Sequence, residues 1–247
     1  MTKRTALVTG GMGGIGTAVV RKLAASGHTV VANCLPGFPP RQEWLSGMRA
    51  EGFSAVHAAE GDVTSFESMK SMVAAITSDI GPVDILINTA GVTRDSTFRK
   101  LAPEDWAAVI DSNLNSIFNV TKQVIDGMAE RGWGRVISLS SVNGVRGQFG
   151  QTNYAAAKAG ILGFSKSLAQ EVVRKGVTVN CVSPGYVETS MVRAIRKDVL
   201  EKIVESIPIG RLARPDEIAA LVGFLASADA GYITGTNVAI NGGLHMY

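Results

Sequence analysis

Cysteine is scarce in this sequence of 247 residues, and the two that occur, Cys34 and Cys181, lie far apart. Their separation does not match the close spacing of metal ligands, so we expect no metal site and two free, buried thiols in a reducing compartment. Long apolar runs are also missing. The longest, from Ile218 to Ala226, is about half of the ~18 residues that a membrane-spanning helix needs. We therefore expect no membrane segment.

An excess of one charge is absent as well. Lys and Arg number 24 and Asp and Glu number 21, which gives a net charge of +3 with both signs interspersed. No basic stripe of the kind that binds nucleic acid is expected. The strand pattern TALVTG begins at Thr5, which leaves little room for a signal peptide, so a cytoplasmic protein is expected.

The composition that remains suits a folded α/β protein. Hydrophobic residues make up 46% and charged residues 18%, and a single domain over residues 1–247 is expected. Apolar, β-rich segments alternate with segments of helical period, which predicts a doubly wound (Rossmann-like) parallel sheet with helices on both faces. Ligands in such sheets bind at the carboxyl ends of strands, near the switch point between the first and fourth strands. The seven predicted strands are TALVTG, HTVVAN, FSAVHAA, VDILIN, GRVISLS, VTVNCVS and TNVAIN.

A glycine-rich turn follows the first predicted strand and leads directly into a helical pattern. The segment Thr9–Gly16 has the sequence TGGMGGIG, with glycines at 10, 14 and 16 in a TGxxxGxG pattern that differs from GxGxxG. Glycines let the backbone approach a pyrophosphate, whose charge is favourable at a helix N-terminus. Such a turn is weak evidence alone, but its place between strand and helix strengthens it.

Ser141, Tyr154 and Lys158 form the second group of candidate residues. Tyr154 and Lys158 are four residues apart in a helical pattern and therefore share a helix face. An ammonium near a phenol favours the phenolate, so we expect Lys158 to lower the pKa of Tyr154 from its usual ~10. Such a phenol can exchange a proton with a carbonyl or an alcohol. Taken alone, however, the pair is better explained as two surface side chains that happen to share a helix face.

Several motifs together identify the chain as a member of the short-chain dehydrogenase/reductase family. They are TGGMGGIG, the segment 88–91 (NTAG, where the family usually has NNAG), Asn113, Ser141, Tyr154-x-x-x-Lys158 and Pro184-Gly185, and they span essentially the whole chain. The resemblance implies that Tyr154 is the general acid in reduction and that Ser141 holds the substrate carbonyl. It also implies that Lys158 binds the nicotinamide ribose and that Asn113 anchors a water linking Lys158 to solvent.

The resemblance implies a nicotinamide cofactor, and the second strand bears on which one. That strand ends at Asn33-Cys34 without an Asp or Glu for a ribose 2′-hydroxyl, and Arg41 follows shortly after, so NADPH is favoured. Against this, Met12 and Gly13 stand where many NADP-preferring relatives carry an arginine. The cofactor-binding residues that the resemblance implies are Gly10, Met12, Gly14, Ile15, Gly16, Asn33, Arg41, Asp62, Val63, Asn88, Ala90, Gly91, Tyr154, Lys158, Pro184, Gly185, Val187 and Thr189.

Longer phrases, including SSVNGVRGQFGQTNY and NGGLHMY, resemble the group of this family that reduces acetoacetyl-CoA for polyhydroxyalkanoate synthesis. This implies reduction of acetoacetyl-CoA to (R)-3-hydroxybutanoyl-CoA and a substrate lid around residues 187–207, which the pattern predicts as one amphipathic helix. The resemblance also implies that bulky side chains at Gln148, Phe149 and Tyr186 close the pocket beyond a four-carbon acyl unit. The substrate-binding residues so implied are Asp95, Lys100, Ser141, Gln148, Phe149, Gln151, Tyr154 and Tyr186.

Two other functions stay open from the sequence. A 3-oxoacyl-acyl-carrier-protein reductase shares the fold and the catalytic residues, and Arg131 and Arg174 fall near positions where that enzyme presents arginines to its acidic carrier. A non-catalytic NADP-sensing protein of the same fold would need the glycine turn but not the proton donor. The resemblance further implies a homotetramer, with Phe118, Val120 and Phe164 buried between subunits.

Overall fold

Seven parallel strands form one sheet in the computed structural model, in the order β3-β2-β1-β4-β5-β6-β7. The structure describes residues 2–246; Met1 and Tyr247, which end the predicted domain, lie outside the described residues. The predicted fold class is confirmed, and the switch point lies between β1 and β4. The strands are β1 (Thr5–Thr9), β2 (Thr29–Cys34), β3 (Val56–Glu60), β4 (Val83–Asn88), β5 (Gly134–Leu139), β6 (Val177–Pro184) and β7 (Asn237–Ile240).

Helices connect the strands and cover both faces of the sheet. No helix among the residues described could cross a membrane, since each is too short or too polar. The helices are α1 (Gly14–Ala25), α2 (Arg41–Ala50), α3 (Phe66–Asp79), α4 (Pro103–Ile110), α5 (Ser116–Glu130), α6 (Asn143–Arg146), α7 (Thr152–Val172), α8 (Ser190–Arg193), α9 (Lys197–Ser206) and α10 (Pro215–Leu225).

Alternating residues of the strands supply two separate cores, one on each face of the sheet. Ala6 and Val8 of β1 pack on the side of α1 and α10, whereas Leu7 packs on the side of α3 and α5. All six residues of the central strand β4 are buried, as the continuous apolar sequence VDILIN predicts. Cys34 and Cys181 are confirmed as buried free thiols. This rigid double layer fixes the strand ends that carry the polar residues discussed below.

Two connections differ from the sequence pattern. The single amphipathic helix predicted over 187–207 is instead two helices, α8 and α9, separated by Ala194, Ile195 and Arg196. The helix predicted around Asn113 is interrupted by a π-helical turn, Asp111–Asn115, between α4 and α5. A π-helical turn inserts an extra residue and rotates the side chains that follow it, which is common at functional sites.

Candidate active site

A cleft of about 610 Å³ opens at the carboxyl ends of β1, β4, β5 and β6. This is the edge of the sheet where the switch point predicts a ligand. Its floor and walls combine the glycine turn, the end of β5, the start of α7 and the segment after β6. The lining includes Gly10, Met12, Gly14, Ile15, Gly16, Ala90, Gly91, Asp95, Asn113, Ser141, Gln151, Tyr154, Lys158, Pro184, Gly185, Tyr186, Val187 and Thr189.

The glycine turn brings bare backbone to the cleft. Gly10 has φ +58°, which favours glycine, and a Cβ there would lie 2.9 Å from the Cα of Ala90. The first intrahelical hydrogen bond of α1 runs from Thr17 N to Gly13 O at 2.8 Å, so the N–H groups of residues 14–16 precede the ladder. The first turn of α1 carries no acidic side chain. An anionic group therefore fits at this helix end.

Thr89, which replaces the usual asparagine of the NNAG motif, ties β4 to β1. Its backbone N–H donates to Thr9 Oγ1 at 3.1 Å, and its hydroxyl donates to the Thr9 carbonyl. The N–H of Ala90 also donates to Thr9 Oγ1, at 3.3 Å. The substitution thus preserves a loop that is fixed against the glycine turn.

Lys158 is locked between α7 and the end of β5. Its Nζ donates to the Leu139 carbonyl at 2.8 Å, and its own carbonyl accepts from Ser140 Oγ at 2.8 Å. The side chain is only 5% exposed. Because Tyr154 precedes it by one helical turn, the ammonium lies 5.5 Å from the centre of the phenol ring. The pair shares a helix face and points into the cleft.

The expected direction of the Tyr154 pKa is wrong for this structure. Burial raises that pKa to about 12; the hydrogen bond with Ser141 lowers it and the charge of Asp95 raises it, but both effects are smaller. Burial also lowers the pKa of Lys158 to about 8. Each shift has the same cause, since the protein replaces the water that would solvate the charged form. Tyr154 is therefore held as a protonated donor. Of these two residues, Lys158 has the pKa nearer to neutral pH.

Asn113 presents an unpaired acceptor beside Lys158. The side chain is completely buried, and its Nδ2 donates to the carbonyls of Val92 and Val109 at 2.8 and 2.9 Å. Its Oδ1 has no hydrogen-bond partner in the described residues. A Cβ on Gly91 would lie 2.3 Å from this Oδ1 and 3.7 Å from Lys158 Nζ, so both atoms face the same point. Unpaired buried acceptors are costly, and this one suits a bound water.

A chain of amide hydrogen bonds leads from the mouth of the cleft to Ser141. Asp95 Oδ2 accepts from Gln151 Nε2 at 2.8 Å, and Gln151 Oε1 accepts from Asn143 Nδ2 at 2.9 Å. The backbone N–H of Asn143 donates to Ser141 Oγ at 3.1 Å. The serine oxygen thus accepts one hydrogen bond from the backbone, while its hydroxyl is also hydrogen-bonded with Tyr154. Sequence reasoning missed Asn143, whose only signal was a polar residue inside the phrase SSVNG.

Comparison with known proteins places this geometry in a family. A family model described as short chain dehydrogenase matches residues 4–200. The acetoacetyl-CoA reductase of Cupriavidus necator is 58% identical over all of both chains, and nodulation protein G of Azospirillum brasilense is 58% identical over 99% of each. The 3-oxoacyl-[acyl-carrier-protein] reductase of Vibrio cholerae is 43% identical over 98% of each.

The chain belongs to the short-chain dehydrogenase family. Membership implies a nicotinamide cofactor, and the cleft fits one. The turn before α1 suits a pyrophosphate, and the close approach of Gly14 to Thr189, where a Cβ would lie 2.9 Å from Thr189 Cγ2, brings the segment after β6 against that turn. The predicted family is therefore confirmed, and the two regions expected to hold the cofactor lie side by side.

Of the two residues expected to recognise the adenosine ribose, Asn33 lines the cleft and Arg41 does not. Asn33 turns inward, where its Nδ2 donates to Gly61 O at 2.9 Å and its Oδ1 accepts from Gly10 N at 3.4 Å, so it braces the glycine turn. Arg41 lies outside the described lining of the cleft and pairs with Glu60 at 2.6 Å. Its backbone N–H donates to Phe38 O, and Phe38 does line the cleft, so Arg41 sits just beyond the edge.

Three other predicted cofactor residues also lie outside the described lining. The Asp62 carboxylate accepts from both the N–H and the hydroxyl of Thr64, at 2.9 and 2.8 Å, which forms the turn before α3. Val63 packs into the core beneath that turn. The Asn88 Nδ2 donates to Ser138 Oγ at 3.1 Å, and this bond joins the ends of β4 and β5. These residues support the cleft from behind in this structure.

Three predicted substrate residues lie outside the described lining as well: Lys100, Gln148 and Phe149 are exposed beyond its mouth. Phe149 is 86% exposed, so the expectation that it closes the pocket is wrong for this structure. Gln148 accepts from Arg146 at 3.2 Å on the outer surface. The reason is local, since Gly147 and Gly150 have φ of +76° and +80° and turn the intervening residues outward.

Asn153 is a second residue that sequence reasoning missed. It is fully buried immediately before Tyr154, its Nδ2 donates to the Arg94 carbonyl at 3.0 Å, and its Oδ1 accepts from the N–H of Tyr154 at 2.8 Å. The start of α7 is thereby anchored to the loop after β4. Helical periodicity gave no signal for it, because a buried polar residue breaks the apolar pattern.

Proposed function

We propose that the protein is an NADPH-dependent reductase that converts acetoacetyl-CoA to (R)-3-hydroxybutanoyl-CoA. The observation that carries the proposal is the group formed by the half-buried Tyr154 and the buried Ser141 and Lys158 on the floor of the cleft, in a chain whose full-length relatives include acetoacetyl-CoA reductases. Further relatives of that name are 57% and 48% identical over nearly the whole chain. The carrier-protein reductase is less similar, at 43%.

Residues around the glycine turn and the end of β6 would hold the cofactor. The N-terminus of α1 would bind the pyrophosphate, and Lys158 and Thr189 would bind the nicotinamide end. When bound, the reduced nicotinamide supplies a hydride to the substrate carbonyl carbon. The protein's own task is to orient that carbonyl and to supply the proton that its oxygen requires.

Ser141 and Tyr154 are proposed to bind the carbonyl oxygen together. The Ser141 oxygen accepts from the Asn143 N–H, and the serine O–H, which is hydrogen-bonded with Tyr154 in this structure, would turn to donate to the carbonyl. The phenol of Tyr154, kept protonated by burial, would give its proton to the oxygen as negative charge develops there. Both donors strengthen as the transition state forms, which is what catalysis requires.

Lys158 and Asn113 are proposed to return a proton to Tyr154. With a pKa of about 8, Lys158 can gain and lose a proton near neutral pH. The unpaired Oδ1 of Asn113 faces the same point as Lys158 Nζ and suits a water that connects the lysine to solvent. The transfer leaves the lysine neutral for a moment, which its burial favours.

Specific observations argue against the two alternatives, a carrier-protein reductase and a non-catalytic sensor. The Arg131 side chain, which a carrier protein would need, donates to the Val83 carbonyl at 2.7 Å and pairs with Asp84 at 3.1 Å, at the edge of the sheet opposite the cleft. A sensor without catalysis would have no use for a proton donor that is hydrogen-bonded with Ser141 and whose backbone is held by Asn153. The CoA thioester is therefore the substrate that we propose.

A homotetramer is proposed as the working assembly. Phe118 on α5 is 51% exposed and stacks on Phe66, with ring centres 6.0 Å apart. Such a pair of exposed rings suits burial against another subunit. Val120 does not, since it is already 1% exposed within one chain, so that part of the expectation was wrong. Light scattering that gives a mass near 26 kDa at micromolar concentration would exclude a tetramer.

NADPH preference is proposed to depend on Arg41. The end of β2 offers no carboxylate to a ribose 2′-hydroxyl, and Arg41 is the cation near that edge of the cleft. A charge-assisted contact with phosphate is worth ~1.5 to 3 kcal/mol, or roughly ten- to a hundredfold. Arg41→Ala should therefore raise KM for NADPH by about that factor and leave KM for NADH unchanged.

Initial rates test the proposed function directly. We expect high kcat/KM on acetoacetyl-CoA with NADPH, lower values with NADH, and lower values again on an acetoacetyl carrier protein. A much faster reaction with the carrier-protein thioester would replace the proposal by the carrier-protein reductase. No turnover of any 3-oxoacyl thioester, together with tight NADPH binding, would favour a sensor.

A further inference from the structure

An ion pair lies where β2 and β3 end, just beyond the edge of the cleft. Cys34 of β2 is the cross-strand neighbour of Glu60, the last residue of β3. Arg41 begins α2 and reaches back so that its Nη1 lies 2.6 Å from Glu60 Oε1. Cys34 and the following Leu35 line the cleft. The pair therefore borders the region that would receive the far ribose of a dinucleotide.

We propose that Glu60 is a specificity-determining residue, which weakens the binding of a ribose 2′-phosphate by competing with it for Arg41. The inference rests on the proposed preference for NADPH. A phosphate that approaches Arg41 meets a guanidinium that already has a carboxylate partner, and it meets that carboxylate as a second negative charge. Both effects reduce the affinity for a phosphorylated ribose and leave an unphosphorylated ribose unaffected.

The charge of Glu60 is felt at the cleft wall. Burial raises the pKa of the Cys34 thiol most, the Glu60 carboxylate raises it further, and Arg41 lowers it. Cys34 thus lies within electrostatic reach of both charges at the same time. A dianionic phosphate near the end of β2 would be attracted by the positive charge of Arg41 and repelled by the negative charge of Glu60.

The expected effect is modest because the pair is partly hydrated. The Arg41 and Glu60 side chains are 34% and 35% exposed. Partly exposed pairs contribute up to ~1 kcal/mol, which corresponds to at most about a fivefold change in a dissociation constant. Removing the negative charge should tighten phosphate binding by about this factor, and added salt should reduce the difference.

The chain offers a matched control pair. Arg21 and Glu51 form a bidentate contact at 2.5 and 2.6 Å, with side chains 43% and 41% exposed. Neither residue lines the cleft in the described structure. Glu51→Gln therefore removes the same charge from the same kind of pair without touching the proposed site.

Calorimetric titration with adenosine 2′,5′-bisphosphate and with adenosine 5′-monophosphate tests the proposal on the full chain. Glu60→Gln should lower Kd for the bisphosphate by up to about fivefold and leave Kd for the monophosphate unchanged, while Glu51→Gln should change neither. In an Arg41→Ala background, Glu60→Gln should no longer tighten bisphosphate binding, because the guanidinium for which the carboxylate and the phosphate compete is absent. Thermal unfolding of each variant establishes that the fold is retained, and Glu60→Ala serves as the second variant.

The outcomes separate the two proposals. An unchanged or higher Kd for the bisphosphate in Glu60→Gln and Glu60→Ala, with Arg41→Ala still weakening it, overturns the role of Glu60 alone. If Arg41→Ala leaves the bisphosphate Kd unchanged, the proposed basis of NADPH preference falls, and the role of Glu60 falls with it. A gain that persists in the Arg41→Ala background also overturns competition for Arg41.

Discussion

Polar side chains are buried on the floor of the cleft and hydrated at its mouth. On the floor, Lys158 and Asn113 are almost completely buried, and Asn113 Oδ1 is left without a partner. At the mouth, Arg193 pairs with Glu188 at 3.0 Å and Arg196 pairs with Asp198 at 2.7 Å on exposed surface. Breaking a buried polar contact on the floor costs free energy because no water replaces the lost partner. A hydrated ion pair at the mouth loses little free energy, because water solvates the separated charges. Mutational effects should therefore be large on the floor and small at the mouth.

The largest effect is expected for Tyr154→Phe, because it removes the proton donor and little else. General acid catalysis contributes ~10² to 10⁴-fold, so kcat should fall by at least that range. Cofactor affinity, measured by fluorescence titration, should stay nearly unchanged. The matched control is Tyr232→Phe, a fully exposed phenol, which should keep full activity. Retention of a third of wild-type kcat by Tyr154→Phe would remove it from the mechanism.

A smaller but still large loss is expected for Gly91→Ala. Its Cβ would lie 2.3 Å from Asn113 Oδ1, and Asn113 is held by two backbone carbonyls and cannot withdraw freely. Overpacking of this kind costs ~1 to 3 kcal/mol. If the strain is relieved by displacing Asn113 from the active geometry at a similar cost, kcat/KM should drop about five- to 150-fold.

Gly47→Ala is the control for that change. Gly47 lies within α2, and a Cβ there meets nothing within 4 Å. Alanine is the better helix former by ~0.5 to 1 kcal/mol, so this variant should keep its activity and unfold at a slightly higher temperature. Wild-type kcat in Gly91→Ala would show that the point between Asn113 and Lys158 is not needed for turnover.

The pH dependence of reduction should report Lys158 and not Tyr154. With a pKa of about 12, Tyr154 keeps its proton through the working range, while Lys158 loses its charge as the pH rises through about 8. We therefore expect kcat/KM, at saturating cofactor, to fall above pH 8. Lys158→Arg keeps the positive charge to higher pH, so the fall should move up by a unit or more even if the absolute rate is lower. If kcat/KM of Lys158→Arg falls at the same pH as in the wild type, the titrating group is not Lys158.

The sequence predicted the framework better than the side-chain directions. The alternation of β-rich and helical segments was sufficient to predict seven parallel strands, and the glycines at strand ends were sufficient to predict where the cleft lies. The spacing of Tyr154 and Lys158 also implied a shared face, which holds in the structure. It could not reveal that burial outweighs the neighbouring ammonium at Tyr154, since desolvation depends on everything packed around the phenol.

Side-chain direction failed at residues whose partners come from distant segments. Asn88 turns toward Ser138, 50 residues along the chain, and lies outside the described lining of the cleft, whereas Asn33 lines the cleft but directs its Nδ2 to Gly61. Neither contact leaves a local pattern. Phe149 points outward because two flanking glycines redirect the backbone, which spacing alone does not encode. Short-range periodicity therefore located the strand ends, and tertiary hydrogen bonds decided which of their side chains face the cleft.

Only a small effect is expected at the mouth of the cleft, for Lys100→Ala. The CoA ester carries an anionic 3′-phospho-ADP that would pass this exposed lysine, and an exposed contact of this kind is worth ~0.2 to 1 kcal/mol. KM for acetoacetyl-CoA should rise by up to about fivefold with kcat unchanged, and higher ionic strength should reproduce the rise in the wild type. Arg196→Ala should have less effect, because Asp198 already engages both Nε and Nη2 of that arginine. Acetoacetyl-pantetheine, which lacks the phosphorylated nucleotide, is the control substrate, and its KM should not respond to Lys100→Ala. An equal rise for both substrates would mean that Lys100 acts on the structure of the mouth and not on the charge of CoA.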